Sequence, residues 1–372
     1  MRALIVVGLA ACSFHPGSLD DGDGGGIGGE AGGGGGSSCA WSYTPTNFKP
    51  CDLPAPMPLT VSSDTTLDTA ATSLPKLVLT QMDGTQITVI HLTQLSVTAP
   101  LTVTGTGVVF AVDGDAIVSN TIVAVGGSNN PMQCGTAKGG EASDSTNANG
   151  GGGGGGGAGG GEVGGNGGNG GGTQAGNAGG RGARITSNLS PLRGGCAGGN
   201  GGRPNAVGTK PMGGRGGGAL QISSNLRVSV EGDGKIDANG RGGNGGNAAL
   251  VGGAGGGSGG GIFLEAPTID LAFLSRVCAD GGSGGEGAGT TANDGQTGTC
   301  NGSYAMTAVT VGTTGGLGGS GSYALKTAGG NAGTATGAGG GGGGGGGVGW
   351  IRIKSPNVNV AVGAVITPFP MN

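Results

Sequence analysis

Nine consecutive glycines at Gly339–Gly347, and eight more at Gly150–Gly157, constrain this chain more than any other feature. Glycine brings no side chain to a core and loses more backbone freedom on ordering than any other residue. Fixing one residue costs about 1–2 kcal/mol, and 101 of the 372 residues are glycine. A conventional hydrophobic core therefore cannot extend over the whole length. The glycine segments must either stay disordered or gain cohesion from backbone hydrogen bonds and close chain approach. Steps such as Gly164-Gly165-Asn166-Gly167-Gly168-Asn169-Gly170 have the three-residue turn of a left-handed polyproline-type helix. Charged residues make up only 10% of the chain, which weakens the electrostatic argument for disorder. Packed polyglycine-type helices and floppy loops both remain open at this level.

Apolar cohesion must then come from the residues between the glycine runs, and these form a recurring cassette. One reads Ala219-Leu220-Gln221-Ile222, Leu226-Arg227-Val228-Ser229-Val230 and Lys235-Ile236-Asp237. Another reads Ile262-Phe263-Leu264-Glu265, Thr268-Ile269-Asp270-Leu271 and Val277-Cys278. A third runs through Trp350-Ile351-Arg352-Ile353-Lys354, Val358-Asn359-Val360 and Val365-Ile366, and a related set lies between Val108 and Ala124. Alternation with period two and β-branched residues marks half-buried strands. Three short strands in about 22 residues suit one coil of a solenoid, which must stack on its neighbours to bury its Val, Ile and Leu. The expected fold is all-β, a parallel β-helix (β-solenoid) over residues 59–372. Its glycine-rich excursions fall at about 126–217, 241–260 and 283–348. An antiparallel sandwich would need evenly spaced strands, and the long glycine insertions break that spacing.

The N-terminus reads Met1-Arg2, an apolar run Ala3–Ala11, then Cys12. That order of charge, short apolar stretch and small residues matches a secretory signal. The run is too short for the roughly 20 residues that span a bilayer. Leu9-Ala10-Ala11-Cys12 resembles a bacterial lipobox, which implies cleavage after residue 11 and acylation of the Cys12 thiol. Ser13 after the cysteine favours the outer membrane by analogy with bacterial sorting. Residues 12–38 read as a Gly-rich tether. Asp20-Asp21-Gly22-Asp23-Gly24 lacks the later ligands and terminal Glu of a calcium loop.

Six cysteines follow the anchor: Cys39, Cys51, Cys134, Cys196, Cys278 and Cys300. An even number in an exported chain favours disulfides, and fifteen pairings are formally available. Neighbour pairing is the expectation: Cys39–Cys51, Cys134–Cys196 and Cys278–Cys300. The first would close a cap over residues 39–58 that holds Trp41, Tyr43 and Phe48. No zinc-like spacing occurs, so neither a metal nor a cofactor is expected.

Groups able to do chemistry are sparse. Asp113/Asp115 and Asp233/Asp237 could form carboxylate pairs of glycoside hydrolysis, but their Gly-rich settings read more simply as turns. His91 lies in a strand-like run without an accompanying nucleophile motif. Arg352-Ile353-Lys354 resembles the substrate-binding tripeptide of polygalacturonases, whose companion motifs are missing. Nine Lys/Arg against three acids lie between Arg181 and Arg241, although the net charge is −4. Arg181, Arg203, Arg215 and Arg241, each beside glycine, could bind a polyanion such as surface polysaccharide through arginine's planar donor fork. Export argues against a nucleic-acid partner.

The segments Ser190–Gly199, Gly216–Ile222 and Gly259–Pro267, with the Cys12 start, resemble uncharacterised glycine-rich lipoproteins of myxobacterial type. The resemblance implies a β-helical fold and an outer-membrane or cell-surface location, and brings no activity or site residues. The leading expectation is a non-enzymatic, lipid-anchored surface protein with a structural or adhesive role, its partners a membrane and surface polysaccharide or matrix. A carbohydrate-active β-helix enzyme and a polyanion-binding module are the alternatives.

Overall fold

The computed structural model describes residues 41–126, 134–306, 314–323 and 325–371. The signal, the tether, Cys12 and Cys39 lie outside the described residues.

The protein is all-β, with parallel strands in two curled sheets of eleven and six strands. In chain order the strands are β1 (Met57–Val61), β2 (Thr65–Asp68), β3 (Lys76–Thr80), β4 (Gln86–Val97), β5 (Leu101–Thr104), β6 (Gly107–Val112), β7 (Ala116–Val118) and β8 (Thr121–Ala124). After a long interval come β9 (Ala219–Ser224), β10 (Arg227–Val230) and β11 (Lys235–Asp237), then β12 (Gly261–Glu265), β13 (Thr268–Leu271) and β14 (Arg276–Cys278). The last triplet is β15 (Trp350–Lys354), β16 (Asn357–Val360) and β17 (Val365–Thr367).

Among these strands only the β3–β4 pair is antiparallel. Successive triplets stack in three columns. The first half of β4 pairs with β6, then β9, β12 and β15 follow. The second half of β4 pairs with β7, followed by β10, β13 and β16. The third column is β2, β5, β8, β11, β14 and β17.

The registers stack like on like. Phe110, Ile222, Leu264 and Ile353 align in the first column. Ala116, Val228, Ile269 and Val358 align in the second, and Ile122, Ile236, Val277 and Ile366 in the third. Apart from Val358, these ladders form one apolar core. The opposite face of the first column is also covered. Ile87, Val89, Val109, Phe263 and Trp350 pack there against Phe48, Leu53, Leu189 and Leu192. Burial on both faces explains why Val108–Val112 is continuously apolar rather than alternating.

The described glycine segments between the triplets are regularly hydrogen-bonded. Segment 151–160 hydrogen-bonds with a three-residue period. Gly151, Gly154 and Gly157 donate to the carbonyls of Gly171, Gly168 and Gly165. Gly152, Gly155 and Ala158 donate to Leu250, Gly253 and Gly256, and Gly153, Gly156 and Gly159 to Ser143, Gly140 and Ala137. The same segment accepts from Gly179, Gly199 and Gly344 on three further segments. Each turn thus points one N–H at each of three neighbours, as three residues per turn require.

Segments 252–260 and 340–349 follow the same pattern, and the three close a ring. Gly155 donates to Gly253, Gly256 to Gly344, and Gly344 back to Gly155. With six chains around each, most positions leave no room for a side chain, and among those that do are the small Ala158, Ala254 and Ser258. A Cβ on Gly154 would lie 1.8 Å from the Gly342 oxygen, and one on Gly343 1.9 Å from that of Ala254. Close approach therefore dictates the unbroken glycine runs. Two of the enclosed segments, 252–260 and 340–349, pass directly into β12 and β15, so the glycine array continues the strand stack.

Two disulfides pin this array: Cys134–Cys196 and Cys278–Cys300, separated by 62 and 22 residues. The exposed Cys51 forms no disulfide with a described residue. On a loop-closure basis the longer bridge stabilises by about 4 kcal/mol. Replacing both Cys134 and Cys196 with serine should lower the chemical-denaturation stability by an amount of that order. An unchanged midpoint would show that the glycine array holds residues 134–196 unaided.

Candidate functional site

The outward face of the first column gathers polar side chains that the chain order keeps far apart. Strand alternation places Gln221 and Ser223 of β9, Glu265 of β12 and Lys354 of β15 on this one face. Glu265 is buried, and its carboxylate accepts from the Thr46 amide (2.9 Å), the Thr46 hydroxyl (3.0 Å) and the Ser223 hydroxyl (3.1 Å). Lys354 Nζ lies 2.7 Å away and supplies the opposite charge. Asn47 Nδ2 donates to Gln221 Oε1 at 2.8 Å, and Gln221 Nε2 donates back to the Thr46 carbonyl. Burial, reinforced by the Glu265 charge, pushes the Tyr43 phenol above its ordinary range. Its hydroxyl sits 3.1 and 3.0 Å from the carbonyls of Ser224 and Glu265.

These contacts fasten residues 41–48 along the side of the stack. Trp41 packs edge-on against Phe48 at 5.5 Å and lies 5.6 Å from Tyr43. The indole Nε1 donates to Asp113, which also meets His91 Nε2 at 3.0 Å. The other nitrogen of the buried His91 ring bonds the Pro54 carbonyl. Asp113 thus holds Trp41, and His91 links Asp113 to the chain at Pro54. Replacing Lys354 with alanine should cost about 1–3 kcal/mol, because it leaves a buried carboxylate short of a partner. Thermal melts read the change, and Glu265→Gln in the same background should recover part of it.

Beside this segment runs an open groove of about 560 Å³, on the turn side of the second column. Asp115, Arg227, Asp270 and Asn359 line it. Arg227 pairs with Asp115 at 3.0 Å, and Asn359 donates to Asp270 at 2.8 Å. The residues singled out from sequence are therefore dispersed. Asp113 joins His91 and Asp115 joins Arg227, while Asp237 pairs with Lys235 at 3.0 Å. Arg352 lies over the Phe263 ring at 4.9 Å and donates to the Asn188 carbonyl. Among the described residues, no group of His, Cys, Asp and Glu is placed to hold a metal ion.

The four arginines also divide. Arg203 donates to Asp144 at 2.8 Å, with Lys210 at 3.5 Å from the same carboxylate. Burial alone would raise the Asp144 carboxyl, but Arg203 and Lys210 outweigh it and hold it below its ordinary value. Arg215 and Arg241 are exposed and lie on adjoining glycine segments, joined by the Arg241 N–H to the Arg215 carbonyl at 2.8 Å. Arg181 belongs to a different segment, where its N–H donates to Asn166.

A further titratable group, passed over in the sequence, is Asp280. It is fully buried beside the Cys278–Cys300 bridge, accepting from Thr367 Oγ1 at 2.5 Å and the Cys300 amide at 3.2 Å. Burial pushes its carboxyl up to about 7. Glu265 ends β12 and Asp280 lies two residues beyond β14, strands whose inward positions are aliphatic. Strand register against Lys354 is the signal that would have found Glu265, whereas Asp280 lies beyond Cys278, the residue in register with Thr367.

No family model, curated protein or solved structure matches the chain.

Proposed function

We propose that the three stacked columns are a parallel β-helix and that the protein is a rigid, non-enzymatic scaffold at the cell surface with a structural or adhesive role. In this reading Cys12 carries the lipid, residues 12–38 space the body from the outer membrane, and the glycine array stiffens it. One observation carries the proposal: three glycine segments are each ringed by six hydrogen-bonded chains, an arrangement that serves shape and rigidity. Support also comes from the buried Glu265 and His91, whose partners Lys354 and Asp113 hold the chain in place. Likeness to glycine-rich lipoproteins of myxobacterial type fits the same picture.

Deleting the gene should reduce surface adhesion or alter envelope integrity, with recovery by the intact gene and not by a Cys12→Ala version. Unchanged adhesion and envelope behaviour would remove the basis for the proposal. Release of sugars from a broad glycan panel by the purified protein would favour a carbohydrate-active enzyme instead.

Polyanion binding is a second reading, favoured by the side-by-side exposed Arg215 and Arg241. Salt-sensitive retention on a heparin-type resin should weaken when both become alanine, and Arg203→Ala should change it little because Asp144 already engages that guanidinium. Equal indifference to all three substitutions would end this reading.

A further inference from the structure

The outward face of the second column carries two rows of polar side chains. Val228, Val230, Ile269 and Leu271 turn inward to the core, so alternation turns their neighbours out. Arg227, Thr268 and Asn357 stand in register in one row, and Ser229, Asp270 and Asn359 in the other. Neighbouring strands lie about 4.8 Å apart, so a polar group recurs at each step along the stack. The open groove of about 560 Å³ lies against these rows. Ser42 also lines it, tied to Asn225 through its amide at 2.7 Å and its hydroxyl at 3.2 Å. The Glu265 network that fastens residues 41–48 therefore also steadies this part of the groove.

Donors and acceptors sit side by side in it. Arg227 engages one oxygen of Asp115 at 3.0 Å, and Asn359 engages one oxygen of Asp270 at 2.8 Å. The second oxygen of each carboxylate bonds no described residue. A guanidinium carries five N–H groups and an amide two, so donors remain on both partners. Leu226, 56% exposed, and Pro267 add apolar surface among these groups, a mixture that small-molecule sites use. Two carboxylates against one guanidinium leave the groove negative, which repels a polyanion. A cationic ligand would meet Arg227 beside Asp115. A neutral ligand that donates and accepts at closely spaced oxygens fits without either conflict, and vicinal sugar hydroxyls have that chemistry.

We propose that this groove binds a neutral polysaccharide, with Asp115–Arg227 and Asp270–Asn359 as two hydroxyl-binding pairs along the stack. The inference deepens the adhesive reading by naming a ligand class, and rests on that reading only for what binding accomplishes. It is separate from polyanion binding by Arg215 and Arg241, which lie on the glycine array. Nor does it depend on what lies beyond β16, because a further coil there would lengthen both rows rather than cover them.

The test is native electrophoresis of the full chain, with Cys12→Ser to exclude an acyl group, through gels holding dextran, glycogen, galactomannan or xyloglucan. At least one polymer should retard the protein. Titration calorimetry against that polymer should change little between low and high salt, because no charge on the ligand is there to be screened. Asp270→Ala with Asn359→Ala should weaken binding by at least about ten-fold, whereas Arg215→Ala with Arg241→Ala should leave it unchanged. Asn359→Ala alone keeps the test independent of folding, since that side chain is exposed, and it should act in the same direction. Migration unaffected by all four polymers overturns the proposal. So does retardation indifferent to the groove variants, or binding of heparin or trilysine in place of the neutral polymers. An adhesion defect on gene deletion that the Asp270→Ala, Asn359→Ala protein fully repairs would sink the groove and leave the adhesive reading standing.

Discussion

Replacing Gly154 with alanine should prevent the glycine array from forming, although it adds a single methyl group. Its Cβ would stand 1.8 Å from the Gly342 oxygen and 2.4 Å from the Gly342 carbon. Overpacking a side-chain core typically costs about 1–3 kcal/mol, because neighbours rotate aside. Here the obstacle is backbone, held by the Gly168-to-Gly342 and Gly342-to-Gly333 hydrogen bonds. Moving it breaks the three-residue pattern on adjoining segments as well. A loss of at least about 4 kcal/mol is expected, beyond the range of ordinary substitutions and a large share of a typical domain's 5–15 kcal/mol. Soluble yield and urea denaturation report it.

Gly180 supplies the control. It has nothing within 4 Å of a built Cβ, and its φ is not positive. Gly180→Ala should be neutral or stabilise by about 0.4–1 kcal/mol, through lower entropy of the unfolded chain. Equal effects at the two positions would mean that the glycine runs are not selected by close packing.

This contrast also explains what could be read from the sequence. The strand triplets were legible because each carries its own period-two alternation. Val228 and Val230 announce a buried face without reference to Ile269 or Leu271, onto which they stack. The disulfides Cys134–Cys196 and Cys278–Cys300 matched neighbour pairing. The glycine segments were ambiguous because Gly154 and Gly180 are chemically identical in sequence. Only the six-fold surroundings of one, and the open side of the other, separate them. The polar site was hidden for a related reason. Glu265 and Lys354 lie 89 residues apart, and a carboxylate with one lysine that distant carries no local spacing to detect. Arginines 181, 203, 215 and 241 looked equivalent beside their glycines, but the array assigns Arg203 to Asp144 and leaves Arg215 beside Arg241 in solvent.

Stability should fall as pH rises from about 5 to 8, and Asp280 is the cause. Burial outweighs the Thr367 and Cys300 hydrogen bonds, with the Asp237 charge adding to it, and the folded carboxyl is raised to about 7 from 3.8. Between those values the folded state holds a proton that the unfolded state has released. Stability from this group is therefore complete below about pH 4 and is lost as pH rises through 7. The whole effect is about 4 kcal/mol, roughly 2–3 kcal/mol of it between pH 5 and pH 8. Asp280→Asn mimics the protonated acid: its carbonyl can accept from the Cys300 amide while its NH2 donates to the Thr367 hydroxyl. The variant should be more stable than the parent at pH 8, similar at pH 4, and nearly flat between. Parallel denaturation series without reductant, which keep the neighbouring Cys278–Cys300 bridge closed, isolate the Asp280 contribution as the difference between the two curves. Identical pH slopes would show that the buried carboxyl stays ionised at acidic pH and that its two hydrogen bonds, rather than desolvation, govern it.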